Sequence, residues 1–233
     1  TSGYRKVKKA LIGKLNSDKS GYENTETIPC DSICVSGNWT PTVHLSSQSG
    51  NKLKFSKDID AFVPDKSKQR EISIGGACGT TTLKQSLEEG FKHGFEASNR
   101  ITKKDITVNV PNSVEKNNDK HDKFWCMPLL KNKTYKRFVD FQNDVAVSDI
   151  ELALREGYRS IEHVKRYTTL GMATDQGKTS NLNGLQLVSN LESKIVPEVG
   201  HTTFRPPYTP ITIGAIVGRE VGKHYRPTRK SPI

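Results

Sequence analysis

The sequence predicts an α/β fold, and three observations carry that reading. A β-branched triplet, Ile72-Ser73-Ile74, runs into Gly75-Gly76-Ala77-Cys78-Gly79 and then into a segment with Leu83, Leu87, Phe91 and Phe95 four residues apart, the pattern of a strand, a tight turn and a helix. Three helix starts gather between residues 148 and 183, at Ser148, Ser160 and Asn181 or Asn183, each a residue type that caps free backbone N–H groups. Between these regions, residues 101–136 are rich in lysine and lack sustained periodicity, as a linker does. The expected organisation is an α/β part over 1–100, a linker over 101–136, a helical module over 137–196 and an extended connector over 197–233.

Taken in order, residues 6–15 alternate basic and apolar side chains and read as a strand. Residues 16–27 are polar, with Gly21, and read as a loop. Ile33-Cys34-Val35 reads as a short buried strand, broken by Gly37-Asn38-Trp39-Thr40-Pro41. Residues 53–55 and 59–62 read as short strands or turns, stopped by Pro64. Thr80 to Thr82 cap the helix that follows the glycines. The apolar patch at 124–130 is expected to dock on a neighbouring surface. In the helical module, Ser148 and Glu151 have capping-box spacing, Gly157 suits the end of the first helix, and Leu185, Val188 and Leu191 line one side of the third, which Pro197 ends.

The 233 residues carry 36 Lys+Arg against 25 Asp+Glu, a net charge of +11. The surplus is concentrated in residues 1–20, 101–136 and 219–233, so solvated ends and a linker account for it as readily as a nucleic-acid surface. No apolar run reaches the ~20 residues of a membrane span, and no apolar signal core opens the chain. The four cysteines are scattered, which favours a reducing compartment, the cytoplasm, over a disulfide scaffold. Cys30 and Cys34, in a strand, would stand ~13 Å apart, too far for a shared metal or a disulfide, and each cysteine reads as a small buried hydrophobe. The six histidines show no metal-ligand spacing, so no metal site is expected.

Two loops carry candidate chemistry. In the first, Gly75, Gly76, Ala77, Cys78, Gly79, Thr81 and Thr82 precede a helix N-terminus, where backbone N–H groups and the helix dipole favour a phosphate. The same residues also suit a plain tight turn, and the G-x-G-x-x-G fingerprint is absent. In the second, Gln176-Gly177-Lys178-Thr179-Ser180 resembles the end of a phosphate-binding loop, but Met172 stands where that motif needs its first glycine. With Lys165, Arg166 and Thr169 nearby, the loop suits an anion, or simply a polar helix–helix connection.

Four stretches together resemble a known family. These are CVSGNWTPTVHLSSQSG at 34–50, FVDFQNDV at 138–145, EGYRSIEHVKRYTTLGMATDQGKTSN at 156–181 and TFRPPYTPITIG at 203–214. They are similar to the alpha subunit of heterotetrameric sarcosine oxidase. The resemblance covers most of residues 30–233 and implies the middle of a longer subunit, with the N-terminal phosphate-binding glycines and a C-terminal folate domain outside the chain. It makes residues 1–100 the closing part of an FAD/NAD(P)-type dinucleotide-binding domain. The helical module also resembles bacterioferritin-associated ferredoxin, with Asp140, Gln142, Asp175 and Ser180 at the positions of the cluster-binding cysteines, so the scaffold is expected without its iron–sulfur cluster.

The implied activity is oxidative demethylation of sarcosine to glycine, with hydrogen peroxide and formaldehyde or methylene-tetrahydrofolate. The implied cofactors are NAD on this subunit, FMN at the interface with the beta subunit, FAD in the beta subunit, and tetrahydrofolate in the absent domain. The implied partners are the beta, gamma and delta subunits, with no nucleic acid and no membrane. No catalytic residue is expected in this chain. The candidate NAD contacts are Gly75, Gly76, Ala77, Cys78, Gly79, Thr81 and Thr82; the candidate FMN-side residues are Lys165, Arg166, Thr169, Gln176, Gly177, Lys178 and Thr179. Two other functions stay open: an iron–sulfur electron-transfer module of a related amine or proline dehydrogenase, and a basic nucleic-acid-binding protein.

Overall fold

The computed structural model describes residues 5–35, 39–103, 109–111, 113, 124–129, 135–225 and 230–232. The break expected at Gly37 and Asn38, Leu130 of the apolar patch and most of the Lys-rich stretch lie outside the described residues.

β1 (Lys9–Leu15) and β2 (Tyr22–Pro29) form an antiparallel hairpin, with Lys9 opposite Pro29, Leu15 opposite Tyr22 and a bulge between Ile12 and Lys14. The Asn16 side-chain oxygen accepts the Gly21 N–H at 2.7 Å and closes the turn. The second half of the loop expected over 16–27, residues 22–27, is therefore strand. Nearly every β2 side chain is exposed, so backbone ladder bonds hold it, and no apolar alternation announced it. The strands expected at 33–35 and 72–74 do not form. Val35 is 74% and Ile72 54% exposed, and β-branched residues favour a strand only where a neighbouring strand pairs with them. The cysteines are half-buried, and Cys34 is exposed, so none is the fully buried hydrophobe expected.

α1 (His44–Gln48) leads into a second hairpin, β3 (Leu53–Ser56) against β4 (Ala61–Pro64), in the register expected of two short strands. Phe55 and Phe62 face each other across it, ring centroids 5.4 Å apart, and both pack on the core of the helical module. A 3-10 turn (Gly75–Ala77) then precedes α2 (Leu83–Thr102). The Thr82 hydroxyl accepts the Gln85 N–H at 3.3 Å, the expected cap. No described residue of this long helix is buried; its apolar stripe is only half covered.

The helical module holds the main core. β5 (Phe138–Asp140) pairs with β6 (Val145–Ala146), followed by α3 (Val147–Arg155), α4 (Ile161–Thr168), α5 (Asn181–Leu191) and α6 (Val196–Val199). Ile150, Ala153 and Leu154 of α3, Ile161 and Val164 of α4, and Leu185 and Val188 of α5 meet in one cluster, the i, i+3, i+4 stripes of amphipathic helices. The capping box is displaced from its expected place. The Asp149 carboxylate accepts the Ala146 N–H at 2.8 Å, while Glu151 pairs with Arg137 at 3.6 Å. Ser160 stands at the start of α4 as expected, without a side-chain cap bond. Leu191 is exposed, and α5 stops there; Pro197 opens α6 instead of ending α5. Of the apolar patch, Cys126 packs on the core and the Pro128 carbonyl accepts the Tyr22 hydroxyl.

The expected connector contains α7 (Ile213–Val217) and a kinked 3-10 segment (Arg219–Tyr225). Ahead of them, residues 201–208 run as a strap over the module.

Candidate functional site

The strap brings the second candidate loop together with α1 and α4. Lys165 on α4 is buried, and its ammonium donates to the Thr203 carbonyl at 3.2 Å. Burial holds its pKa below the usual lysine value, an effect that Glu162 one turn earlier opposes. Burial alone would raise the pKa of Glu162, but the Thr203 N–H it accepts and the Lys165 charge hold it below the usual carboxylate range. Lys178 donates to the Tyr208 carbonyl and lies 4.1 Å from the centre of its ring, a cation–π contact. The Gln176 side-chain oxygen accepts the Arg205 N–H at 3.3 Å. His44 on α1 stacks at 4.1 Å on Phe204.

The loop's bends are set by Asn181 at the head of α5. A Cβ on Gly171 or Gly177, both at positive φ, would come within 2.0–2.1 Å of the Asn181 side-chain oxygen. These glycines make room for a neighbouring amide. The loop also supplies its own anion. Asp175 accepts the Gly177 N–H at 2.8 Å and the Thr179 hydroxyl at 3.1 Å. Of the seven FMN-side candidates, Lys165, Gln176 and Lys178 therefore hold the strap, Thr179 holds Asp175 and Gly177 admits Asn181. Arg166 and Thr169 are exposed.

The first candidate loop is closed in the same manner. The Glu89 carboxylate, two turns into α2, accepts the Gly75 N–H at 2.7 Å and the Thr80 hydroxyl at 2.6 Å, with the Cys78 thiol 3.6 Å away. Burial would raise its pKa, but these donors together outweigh it and keep the group ionised to a lower pH than usual. Gly79 has φ of 95°, and a Cβ there would meet Ile59 at 2.6 Å, so this glycine serves packing on the β3–β4 turn. Gly76 faces open space, and Thr81 is exposed beside the start of α2. Of the seven NAD-side candidates, Gly76 and Thr81 are left open. The Gly75 N–H already holds a carboxylate. The Thr82 hydroxyl accepts the Gln85 N–H and donates to the Gln85 side-chain oxygen at 3.0 Å. Gly79 has no room, and Ala77 and Cys78 spend their N–H groups within the turn.

Sequence reasoning missed Glu89, which lies seven residues after the cap Thr82 and so on the cap's own helix face. It also missed His44 and Thr202, isolated polar residues that nothing in the local pattern marks.

Asp140, fully buried, is the third internal anion. It accepts N–H groups of Gly171 at 2.8 Å, Gln142 at 2.9 Å and Asn143 at 3.0 Å, and the Ser180 hydroxyl at 3.1 Å. Burial opposes ionisation, but these donors hold its pKa below the usual value. Of the four positions matched to cluster cysteines, Asp140 and Ser180 thus bond to each other, Gln142 reaches Thr174 and Asp175 holds its own loop. Among the described residues, no three His, Cys, Asp or Glu side chains gather as a metal site, and no helix is long and apolar enough to cross a membrane.

The class is defined first by the fold. This mixed α/β arrangement is similar to that of L-proline dehydrogenase from P. horikoshii, with a TM-score of 0.63 at 18% identity, covering 91% of this chain and 42% of that one. The sequence narrows the class. Residues 134–219 match the family model described as the sarcosine oxidase A3 domain. The chain is 42% identical over 211 residues to sarcosine oxidase subunit alpha of Rhizobium meliloti (strain 1021), covering 90% of this chain and 21% of that protein. It is 32% identical over 228 residues to the alpha subunit of Corynebacterium sp. (strain P-1), covering 96% and 23%. The chain spans about a fifth of the length of these relatives, and over that stretch its sequence is similar to the sarcosine oxidase alpha subunit, the family that the four motif runs resemble.

Proposed function

We propose that this chain works as the middle of the alpha subunit of a multi-subunit flavoenzyme that oxidises sarcosine. The observation that carries this is the 42% identity maintained across 90% of the chain. The reaction consumes sarcosine, water and dioxygen and yields glycine, formaldehyde and hydrogen peroxide; with tetrahydrofolate present, the one-carbon unit leaves as methylene-tetrahydrofolate. A bound flavin would supply the two-electron acceptor for the N-methyl C–H bond and pass those electrons to dioxygen.

This chain's own contribution is positioning. Residues 1–100 would close a dinucleotide-binding unit, with Gly76 and Thr81 the residues left open to NAD ahead of α2. The module over 137–196 would be a ferredoxin-like scaffold whose cluster positions are taken by the Asp140 network. Its exposed Arg166 and Thr169 would hold the FMN phosphate at the beta-subunit boundary, since a guanidinium grips phosphate well. The iron–sulfur alternative is disfavoured because Asp140 is saturated by hydrogen bonds and no thiolate stands beside it.

The test is the assembled enzyme carrying Arg166→Ala with Thr169→Val. The proposal expects sarcosine-dependent peroxide and formaldehyde from the unaltered protein, and a reduced FMN content in the double variant. Unchanged FMN would remove the FMN assignment. Absence of sarcosine oxidation by the unaltered, flavin-loaded complex would remove the function itself.

A further inference from the structure

The strap over 201–208 is fastened by its backbone. Glu162 accepts the Thr203 N–H, and Lys165 donates to the Thr203 carbonyl at 3.2 Å. Gln176 accepts the Arg205 N–H at 3.3 Å, and Lys178 donates to the Tyr208 carbonyl. Below this row the packing is loose. Phe204 rests on His44 at 4.1 Å, yet a half-open cavity of about 50 Å³ separates Thr202 and Phe204 from Val43, Phe62 and Leu185. His44 lies under the Phe204 and Tyr208 rings. Among the described residues, its Nδ1 and the Thr202 Oγ1 are buried without a hydrogen-bond partner. Unpaired buried atoms and unfilled space both weigh against the closed arrangement, and lifting the strap lets water satisfy those atoms.

The closed strap also gives two ammonium groups neutral partners. Lys165 is 8% exposed, and among the described residues its ammonium bonds to the Thr203 carbonyl alone. The Lys178 ammonium has the Tyr208 carbonyl and ring. An ammonium has three donors, and facing an anion it gains an ion pair as well as a hydrogen bond. Burial lowers the Lys165 pKa; Glu162 opposes this, and the nearby Arg205 and Arg166 charges add to it. Lys178, Asp175 and Lys165 all act on His44. Lys165, Arg166, Lys178 and Arg205 thus stand around the strap against Glu162 and Asp175. Both carboxylates already accept backbone N–H groups, of Thr203 and Gly177. A phosphate dianion suits that positive surplus.

We propose that the strap is a reversible clasp, which lifts as one unit from α1 and α4 and, when open, presents Lys165 and Lys178 to a phosphate group. The phosphate takes the places of the Thr203 and Tyr208 carbonyls, and those backbone groups turn to water. Phosphate binding and strap closure therefore exclude each other at these two ammonium groups. The clasp regulates access to the loop at 171–180 and does not depend on the FMN assignment to Arg166 and Thr169.

The test is native-state hydrogen exchange on the assembled protein that contains this chain. The Thr203 and Arg205 amides, held by Glu162 and Gln176, report the clasp, and the Val188 amide reports the core. Inorganic phosphate at ten times its dissociation constant for the open form should raise exchange at Thr203 and Arg205 about elevenfold. Val188 should not change, and potassium chloride of equal ionic strength should have no such effect. FMN forms a separate arm. Acceleration by both ligands supports a site for phosphate itself, and acceleration by FMN alone supports one for a flavin-borne phosphate. Acceleration by neither would overturn the phosphate site. Lys178→Met releases Tyr208, so a clasp that lifts as one unit then exchanges faster at Thr203 and Arg205 by a common factor. Faster exchange at one of them alone, or at neither, would overturn the clasp. The unaltered protein decides the phosphate site even if that variant does not fold. None of these readouts uses sarcosine, so failure of the clasp is told apart from failure of the proposed reaction.

Discussion

The stretch from β5 to α6 is richer in apolar residues than the stretch from β1 to α2, and the two also bury them differently. In the first, short helices turn their apolar stripes inward on Ile150, Val164 and Val188, which are 0–1% exposed. In the second, a 20-residue helix buries no described residue, and a whole hairpin stands in solvent. Part of what the second region buries lies against the first, through Phe55 and Phe62 and through His44 under the strap, while Asn51 is covered from within, by Ser46, Ser67 and Glu71. An amphipathic pattern makes a helix, but only a facing surface makes a core. The first region has its facing surface within the chain, while among the described residues the apolar side of α2 is only half covered.

The sharpest way to break this comparison is a pair of truncations. Ile150→Ala should cost about 2–5 kcal/mol, since it opens a cavity in a closed core. Leu83→Ala in α2, 56% exposed, should stay within about 0.5 kcal/mol. Urea titrations of both variants give the values, and equal costs would mean that α2 has a buried face after all.

Asp140→Asn comes next, at about 1–3 kcal/mol, because it leaves buried donors without their acceptor. The folded protein holds this carboxyl below its ordinary 3.8. Its contribution is thus complete above pH 3.8 and is lost as pH falls through the lowered folded value. The stability gap between variant and parent should be flat from pH 7 to about pH 4 and close only in more acid solution. A gap that closes near neutrality would assign it to another group.

Glu89→Gln should cost about 1 kcal/mol and loosen the Gly75–Ala77 turn. If that turn is held by Glu89 alone, its amides exchange faster in the variant while those of α3 do not change. Thr82→Ala should have the smallest effect on the whole chain. Loss of the cap costs about 1 kcal/mol locally, visible as faster exchange in the first turn of α2, with the urea midpoint hardly moved.

The module was largely legible in the sequence because its helices obey one rule, apolar residues at helical spacing with capping residues ahead of them. Ser160, Asn181, Leu185 and Val188 sit where that rule puts them. The strand at 22–29 was not legible, since YENTETIP has two wet faces and only backbone pairing to define it. The triplet at 72–74 misled for the opposite reason, having the composition of a strand without a partner. The two candidate loops read as anion sites in the sequence. The carboxylates bonded to them in this structure are the chain's own, Glu89 and Asp175, and which carboxylate reaches back to which loop depends on tertiary folding. The meeting of His44, Asn181 and Thr202 beneath the strap was not legible, because residues so far apart in the sequence come together only in the folded chain.

Native-state hydrogen exchange on this chain tests the central claim most directly. The account predicts two levels of protection. Amides of Ile150, Val164 and Val188 should open only with global unfolding, while those along Leu83–Thr102 open at distinctly lower free energy. A single common opening free energy for α2, α3, α4 and α5 would contradict it.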